Sequence, residues 1–286
     1  GDILLGSGSD TLDIADGKQT GNVSFGGGNN RFALSGDAIS AGKLSFGGGA
    51  DTLTTAGTSL FNGTVDFGGG ADILTIADTS KFIAQLTNAS GLAVTVNKGT
   101  FGVSKSASIA SLDVSNGGAL AVTLDKTAGA SSMLNVSGTA TFGTGSTLQL
   151  NVANVDQAEG HFVVVNAGTL VGGNNLTATT DLLPFLYKGA LSVSGNQVAV
   201  DVSRKSTTEL GLNQSESAAF DAIYDALALD DGIGDSFLRI RTLDAKPFHG
   251  AGFALAFDDE VERLGPLRAR RPGECRAPVF ERAARH

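Results

Sequence analysis

A chain of 286 residues with 40 Gly, 5 Pro, no Trp and one Cys has room for one elongated domain or two compact ones. Charged residues are 17% and apolar residues 41%, the latter set singly among small polar ones, a texture of short strands and tight turns that argues against an amphipathic helical fold and against disorder. The net charge of −9 excludes the basic stripe of a nucleic-acid binder, and the lone Cys275 excludes an intrachain disulfide.

The chain opens Gly1-Asp2-Ile3 with neither Met nor a signal peptide, the start expected of a fragment. Its first recognisable unit is Leu5-Gly6-Ser7-Gly8-Ser9-Asp10. A clearer version follows 20 residues later as Phe25-Gly26-Gly27-Gly28-Asn29-Asn30. It returns at intervals of 21 as Phe46-Gly47-Gly48-Gly49-Ala50-Asp51 and Phe67-Gly68-Gly69-Gly70-Ala71-Asp72. The flanking apolar residues keep step. Ile3, Val23, Leu44 and Val65 correspond, as do Leu5, Phe25, Phe46 and Phe67. Beyond the glycines, Leu12, Phe32, Leu53 and Leu74 correspond, and then Ile14, Leu34, Thr55 and Ile76.

Paired columns two residues apart point to one face of a strand. A unit this short cannot bury that face alone, so copies must stack, coil on coil, into inward ladders about 4.8 Å apart. The glycines suit corners that need φ > 0. The fold class expected is all-β, a right-handed parallel β-helix, with Leu5, Phe25, Phe46 and Phe67 as a core ladder. The open first coil is expected to associate end to end with another copy.

Downstream the pattern loosens. Leu112 and Val114 precede Gly117-Gly118, with Leu120, Val122 and Leu124 after it; Leu134 and Val136 precede Gly138, and Leu148, Leu150 and Val152 alternate after Gly145. At about 21 residues per coil, residues 1 to about 205 predict on the order of ten coils, a stack of ~50 Å.

From Gly138 the sequence resembles a family. The run 138–148 (Gly-Thr-Ala-Thr-Phe-Gly-Thr-Gly-Ser-Thr-Leu) is followed by Phe162–Leu170, Pro184-Phe185-Leu186-Tyr187, Leu191–Asn196, Val198–Val202, Arg204-Lys205-Ser206 and Glu209–Asn213. In order and spacing this is similar to the autochaperone end of a pertactin-like passenger of bacterial autotransporters, the type V secretion family. The resemblance covers residues 138 to 243. It implies a folding nucleus that templates the coils upstream, followed by a linker helix and an outer-membrane translocator barrel. Phe220, Ile223, Tyr224 and Leu227 recur at helical spacing, with Asn213 and Glu216 as a capping box and Gly232 and Gly234 as the stop. By resemblance this helix would lie inside the barrel pore; from its own residues it would equally pack on the end of the β-helix.

After Ala245 the resemblance ends where a barrel should begin. Instead Arg268, Arg270, Arg271, Arg276, Arg282 and Arg285 crowd a tail with Pro266, Pro272 and Pro278. The domains expected are therefore 1–137 β-helix repeats, 138–205 autochaperone-like end, 206–243 linker with helix, and 244–286 an aberrant disordered or loosely helical tail. A frameshift or non-native end would give such a shift. The competing reading, a basic anchor for membrane or nucleic acid, is diluted by Asp258, Asp259, Glu260 and Glu262.

Candidate chemistry is sparse. Residues 5–13 also resemble the nonapeptide of calcium-binding RTX repeats, so the column Asp10, Asn30, Asp51 and Asp72 is a calcium-ladder candidate. RTX rolls carry a nonapeptide at both turns of each coil, whereas here one corner per coil is glycine-rich, and an Asx ladder bonding to corner backbone is the expectation. Gly57-Thr58-Ser59 is similar to a subtilase serine motif, but no base is in reach in sequence, since His161, His249 and His286 are distant. Asp37, Asp66, Asp78, Asp113 and Asp125 do not recur at the coil period, as a polysaccharide-cleaving face would need. The glycine triplets are followed by neither helix nor Lys and are no phosphate loops.

The function expected is non-catalytic: an adhesin-like stalk, at the bacterial cell surface or outer membrane or secreted, without cofactor, metal or nucleic-acid partner. Its ligand would be a cell-surface or extracellular one, and the family adds the translocator barrel. The alternatives are the stalk of an enzyme whose head is missing and a polysaccharide-active β-helix.

Overall fold

The structure is a computed structural model, and it describes residues 1–125, 133–153, 158–179 and 183–227. The expected helix stop at Gly232 and Gly234, His249, Cys275, His286 and the Arg-rich tail lie outside these residues. All of the described residues belong to the unit Gly1–Lys246.

The strands form a parallel β-solenoid. One sheet stacks nine strands in succession, from Ile3–Leu4 to Thr177–Thr179. The other stacks eight parallel strands, from Thr11–Ile14 to Gly160–Val171. Chain order alternates between the two sheets, so each coil contributes to both, and the glycine triplets make the corner between them.

The register is the one expected from the repeat. Ile3 pairs with Val23, Val23 with Leu44, and Leu44 with Val65. In the second sheet Leu12, Phe32, Leu53 and Leu74 lie in one row, and Ile14, Leu34, Thr55 and Ile76 in the next. Val23, Leu44, Val65, Phe32, Leu53 and Leu74 are buried, and the facing alternation leaves Thr52, Thr54 and Thr75 outward. Polar Thr55 inside this row is satisfied sideways, its Oγ1 3.0 Å from Ser80 Oγ on the coil below.

Two aromatic rows run through the interior. Phe25, Phe46 and Phe67 stack face to face at 5.0 and 5.7 Å between centroids. Leu5, the first member of that column, is only partly buried. A second row, Phe61, Phe82 and Phe101, stacks at 4.9 and 6.1 Å. Phe32 meets Phe61 edge-on. Offset and edge-on pairs are the arrangements the ring quadrupole favours.

The expectation of about 21 residues per coil fails downstream. Val94 pairs with Leu112, a step of 18 residues, but Leu112 pairs with Ala140 and Leu120 with Leu148, steps of 28. Ala140 then pairs with Leu170, a step of 30. The lengthening has a local cause. Two short strands, Ala107–Ile109 and Ser111–Ser115, both pair with the single strand Leu134–Phe142, whose register onto the next coil shifts between Val136 and Thr139. Longer coils leave fewer of them. Counted as one spacing of ~4.8 Å per coil, the nine strands of the first sheet give about 43 Å, against the ~50 Å expected from ten coils.

The stack stops by changing direction. Gln197–Arg204 pairs antiparallel with Gly160–Val171 and forms a hairpin with Tyr187–Ser194. Gly195, at φ 56°, opens the two-residue turn, a conformation that strains an L side chain. The helix Gln214–Leu227 follows. Its start is the expected capping box: Asn213 Oδ1 accepts the Ser215 and Glu216 N–H groups, and Glu216 accepts the Asn213 N–H. Phe220 is buried in the same core cluster, and the Tyr224 and Tyr187 hydroxyls are hydrogen-bonded. The helix packs against the β-helix end, the placement expected from its own residues.

Candidate functional site

The feature the repeat builds most deliberately is its glycine corner. Within each triplet the first and third glycines lie against backbone of the coil above. A Cβ on Gly26 would fall 2.2 Å from Gly6 O, one on Gly47 1.9 Å from Gly26 O, and one on Gly68 2.2 Å from Gly47 O. The third positions repeat this, Gly28 against Gly8, Gly49 against Gly28, and Gly70 against Gly49. The middle glycines Gly27, Gly48 and Gly69 face open space. The triplet is therefore two obligatory glycines around a position that is free at Gly27 and Gly48, whereas Gly69 is held to glycine by its φ of 117°.

Just inside the corner runs the column Asp10, Asn30, Asp51 and Asp72, the last three buried. Each member after Asp10 accepts a backbone N–H from the coil above. Asp10 N–H donates to Asn30 Oδ1 at 3.0 Å, Asn30 N–H to Asp51 Oδ1 at 2.7 Å, and Asp51 N–H to Asp72 Oδ1 at 2.9 Å. The Asn30 amide also donates to Gly28 O and to Asp51 Oδ1. This is an Asx ladder on corner backbone. The second oxygens of Asp10, Asp51 and Asp72 are buried without a hydrogen-bond partner. These donors do not fit the calcium of an RTX roll. Calcium takes six to eight oxygens. The column's buried uncommitted oxygens are one each from Asp10, Asp51 and Asp72, and the Asn30 amide fills the interval to Asp51. Among the described residues no group of three or more His, Cys, Asp or Glu could hold a metal ion.

Ser59 of the subtilase-like triplet points inward at the opposite corner. It is fully buried and its Oγ has no hydrogen-bond partner among the described residues. Of the histidines, only His161 is described, on the strand Gly160–Val171 near the end of the stack. Ala38 holds the equivalent place one coil earlier, its carbonyl accepting the Leu60 N–H as the Ser59 carbonyl accepts that of Lys81. Ser59→Ala is therefore expected to raise unfolding stability by about 1 kcal/mol, since it removes a buried hydroxyl that lacks a partner. A urea titration checks this, and a loss of similar size would show that the hydroxyl is bonded.

The dispersed carboxylates take structural posts. At the other corner Asp16 Oδ1 accepts the Asp37 N–H and Asp78 Oδ2 accepts the Gly57 N–H, two separate contacts between neighbouring coils. Asp66 accepts from Gly68 N–H and from the Asn88 amide. On the outward face of the second sheet, the row Asp13, Ala33, Thr54, Thr75, Thr95, Asp113 and Thr141 places its two carboxylates five strands apart. At ~4.8 Å per strand that is roughly 24 Å, well beyond the 5–9.5 Å of a glycosidase pair.

The remaining polar cluster caps the stack's end. Arg204 lies over the Tyr224 ring at 4.4 Å and the Phe220 ring at 5.6 Å, and reaches Asp221 at 3.3 Å. Glu209 takes hydrogen bonds from Lys188 and from the Ser206 N–H and hydroxyl, which pull its carboxyl down to about 2. His161 Nδ1 and Asp201 form an exposed pair at 2.7 Å. Sequence reasoning missed this cap because its partners, such as Tyr187 and Tyr224, lie 37 residues apart without periodicity.

None of the protein-family models, curated proteins or solved structures compared with the chain matches it.

Proposed function

We propose that the chain is the non-catalytic, adhesin-like passenger or stalk of an autotransporter, displayed on the bacterial surface or secreted, with residues 138–205 as its autochaperone end. The observation that carries the reading is the ending of the stack. The segment that resembles the autochaperone region is where parallel coils give way to an antiparallel hairpin, Tyr187–Ser194 with Gln197–Arg204. Such an end turns the last parallel strand into an antiparallel hairpin, so that another parallel coil does not simply continue the stack, and it gives each earlier coil a formed neighbour to fold against. The long outward rows of small hydroxyl and amide side chains fit a binding surface better than a pocket enzyme.

The test is display. Residues 1–243, placed behind a secretion signal and ahead of a translocator barrel, are expected to reach the outside of intact cells in a protease-resistant form. Deleting residues 138–205 is expected to leave the displayed coils protease-sensitive. Retention of the fusion in the periplasm, while a known passenger on the same barrel is displayed, would sink the proposal. The polysaccharide-active alternative is separated by incubating the purified chain with glycans, where retention without cleavage is expected.

A further inference from the structure

We propose that Asp72 is a proton-linked fastener of the corner column, holding a proton on its second oxygen that bonds the corner's own backbone and tightens the stack in mild acid.

The geometry comes from comparing Asp72 with Asn30. In both, Oδ1 accepts the N–H of the residue one coil above. In Asn30 the other atom is a nitrogen that donates to Gly28 O, two residues back, at 3.1 Å. In Asp72 the corresponding atom is an oxygen, buried and without a partner, in a residue only 1% exposed. The carbonyl two residues back is that of Gly70. A carboxylate there leaves two acceptors without a hydrogen between them; a carboxylic acid supplies one. The proton comes from water, and Asp72 changes only between its charged and neutral forms.

The surroundings offer no opposite charge. Above Asp72 in the column stand Asp51, with its own unpartnered oxygen, then neutral Asn30 and Asp10. Beneath, the next coil brings Gly91, Leu92 and Ala93 to this corner. On its own coil Asp66 is committed to Gly68, Asn88 and Lys43. Burial, opposed by the Asp51 N–H and then reinforced by the Asp51 charge, pushes the Asp72 carboxyl above its ordinary 3.8.

The sign follows from linkage. An acid whose folded value is raised binds its proton more tightly when folded, so its ionisation costs stability. That cost is fully present above the raised value, shrinks as pH falls through it, and is gone below 3.8. Acidification from neutral should therefore stabilise through this residue, against the usual behaviour of surface carboxylates.

The experiment melts the full chain at pH 7.5 and pH 5, with and without calcium, for the wild type, Asp72→Asn and Asn30→Asp. Asp72→Asn is expected to raise the midpoint by about 2–4 °C at pH 7.5, since it removes the buried charge and supplies the donor that the second oxygen lacks. Its gain on acidification should be smaller than the wild type's. Asn30→Asp adds a fourth acid to the column, between Asp10 and Asp51, and is expected to melt lower at pH 7.5 with a larger gain at pH 5. Equal pH responses in the wild type and Asp72→Asn, or an Asp72→Asn protein that melts lower, would overturn the proposal. So would a calcium-dependent rise in the wild type that Asp72→Asn abolishes, because the second oxygen would then hold a cation.

Discussion

Gly47→Ala is expected to destabilise the chain by about 3 kcal/mol or more, while Gly48→Ala, one residue along the same corner, changes stability by at most ~0.5 kcal/mol. Neither position is at a φ closed to L side chains, so the pair isolates packing from backbone conformation. A methyl on Gly47 would fall 1.9 Å from Gly26 O and 2.6 Å from its carbon. Those atoms are backbone and cannot turn aside as a side-chain tip would. They are also fixed from both directions, since Val23 pairs with Leu44 just before the corner and Arg31 with Thr52 just after it. Relief requires prying the two coils apart, which breaks the hydrogen bonds flanking the corner. At Gly48 nothing lies within 4 Å of the added methyl. Gly49→Ala should resemble Gly47→Ala in cost, because it adds a φ of 144° to a 2.2 Å approach to Gly28 O. Denaturant titrations with the slope unchanged would measure all three. Equal midpoints for Gly47→Ala and Gly48→Ala would mean that the corners are not stacked as described.

How much of this was legible in the sequence depends on whether a residue's neighbour sits a fixed number of positions away. The register of the first four coils was readable because stacking converts a spacing of 20 or 21 residues into contact, so Val23, Leu44 and Val65 announce one another. The second phenylalanine row was not. Phe61, Phe82 and Phe101 have Ser40 above them, and their last step is 19 residues, which hides the column from a search at one period. The long coils escaped for the same reason: a strand that pairs with two predecessors, as Leu134–Phe142 does, has no single spacing to find. The hydrophobic strands that end the stack could be seen, but not their antiparallel pairing, because strand composition does not encode direction. At the corner, the Asx column was legible as a column. Its inequality was not, because whether Asn30 or Asp72 carries a hydrogen on its second atom matters only once burial removes water as a partner.

Phe46→Ala is expected to cost about 3–5 kcal/mol, the range for emptying a buried phenylalanine site. Phe46 lies between Phe25 and Phe67 at 5.0 and 5.7 Å, so truncation removes two ring contacts as well as its own buried surface. The site has little means of collapse, because the strands on either side are held to their neighbours at fixed spacing along both sheets. Phe46→Leu should cost clearly less, since Leu5 occupies this column in the first coil. The stronger test is coupling. In a stack, energy passes between adjacent coils and not beyond them. A double-mutant cycle on Phe25 and Phe46 is therefore expected to give a coupling of about 0.5–1.5 kcal/mol, as for other aromatic pairs. The cycle on Phe25 and Phe67, which are separated by Phe46, should give a coupling within ~0.5 kcal/mol of zero. Coupling of equal size in the two cycles would place all three rings around one common cavity, and that is a different interior from a ladder.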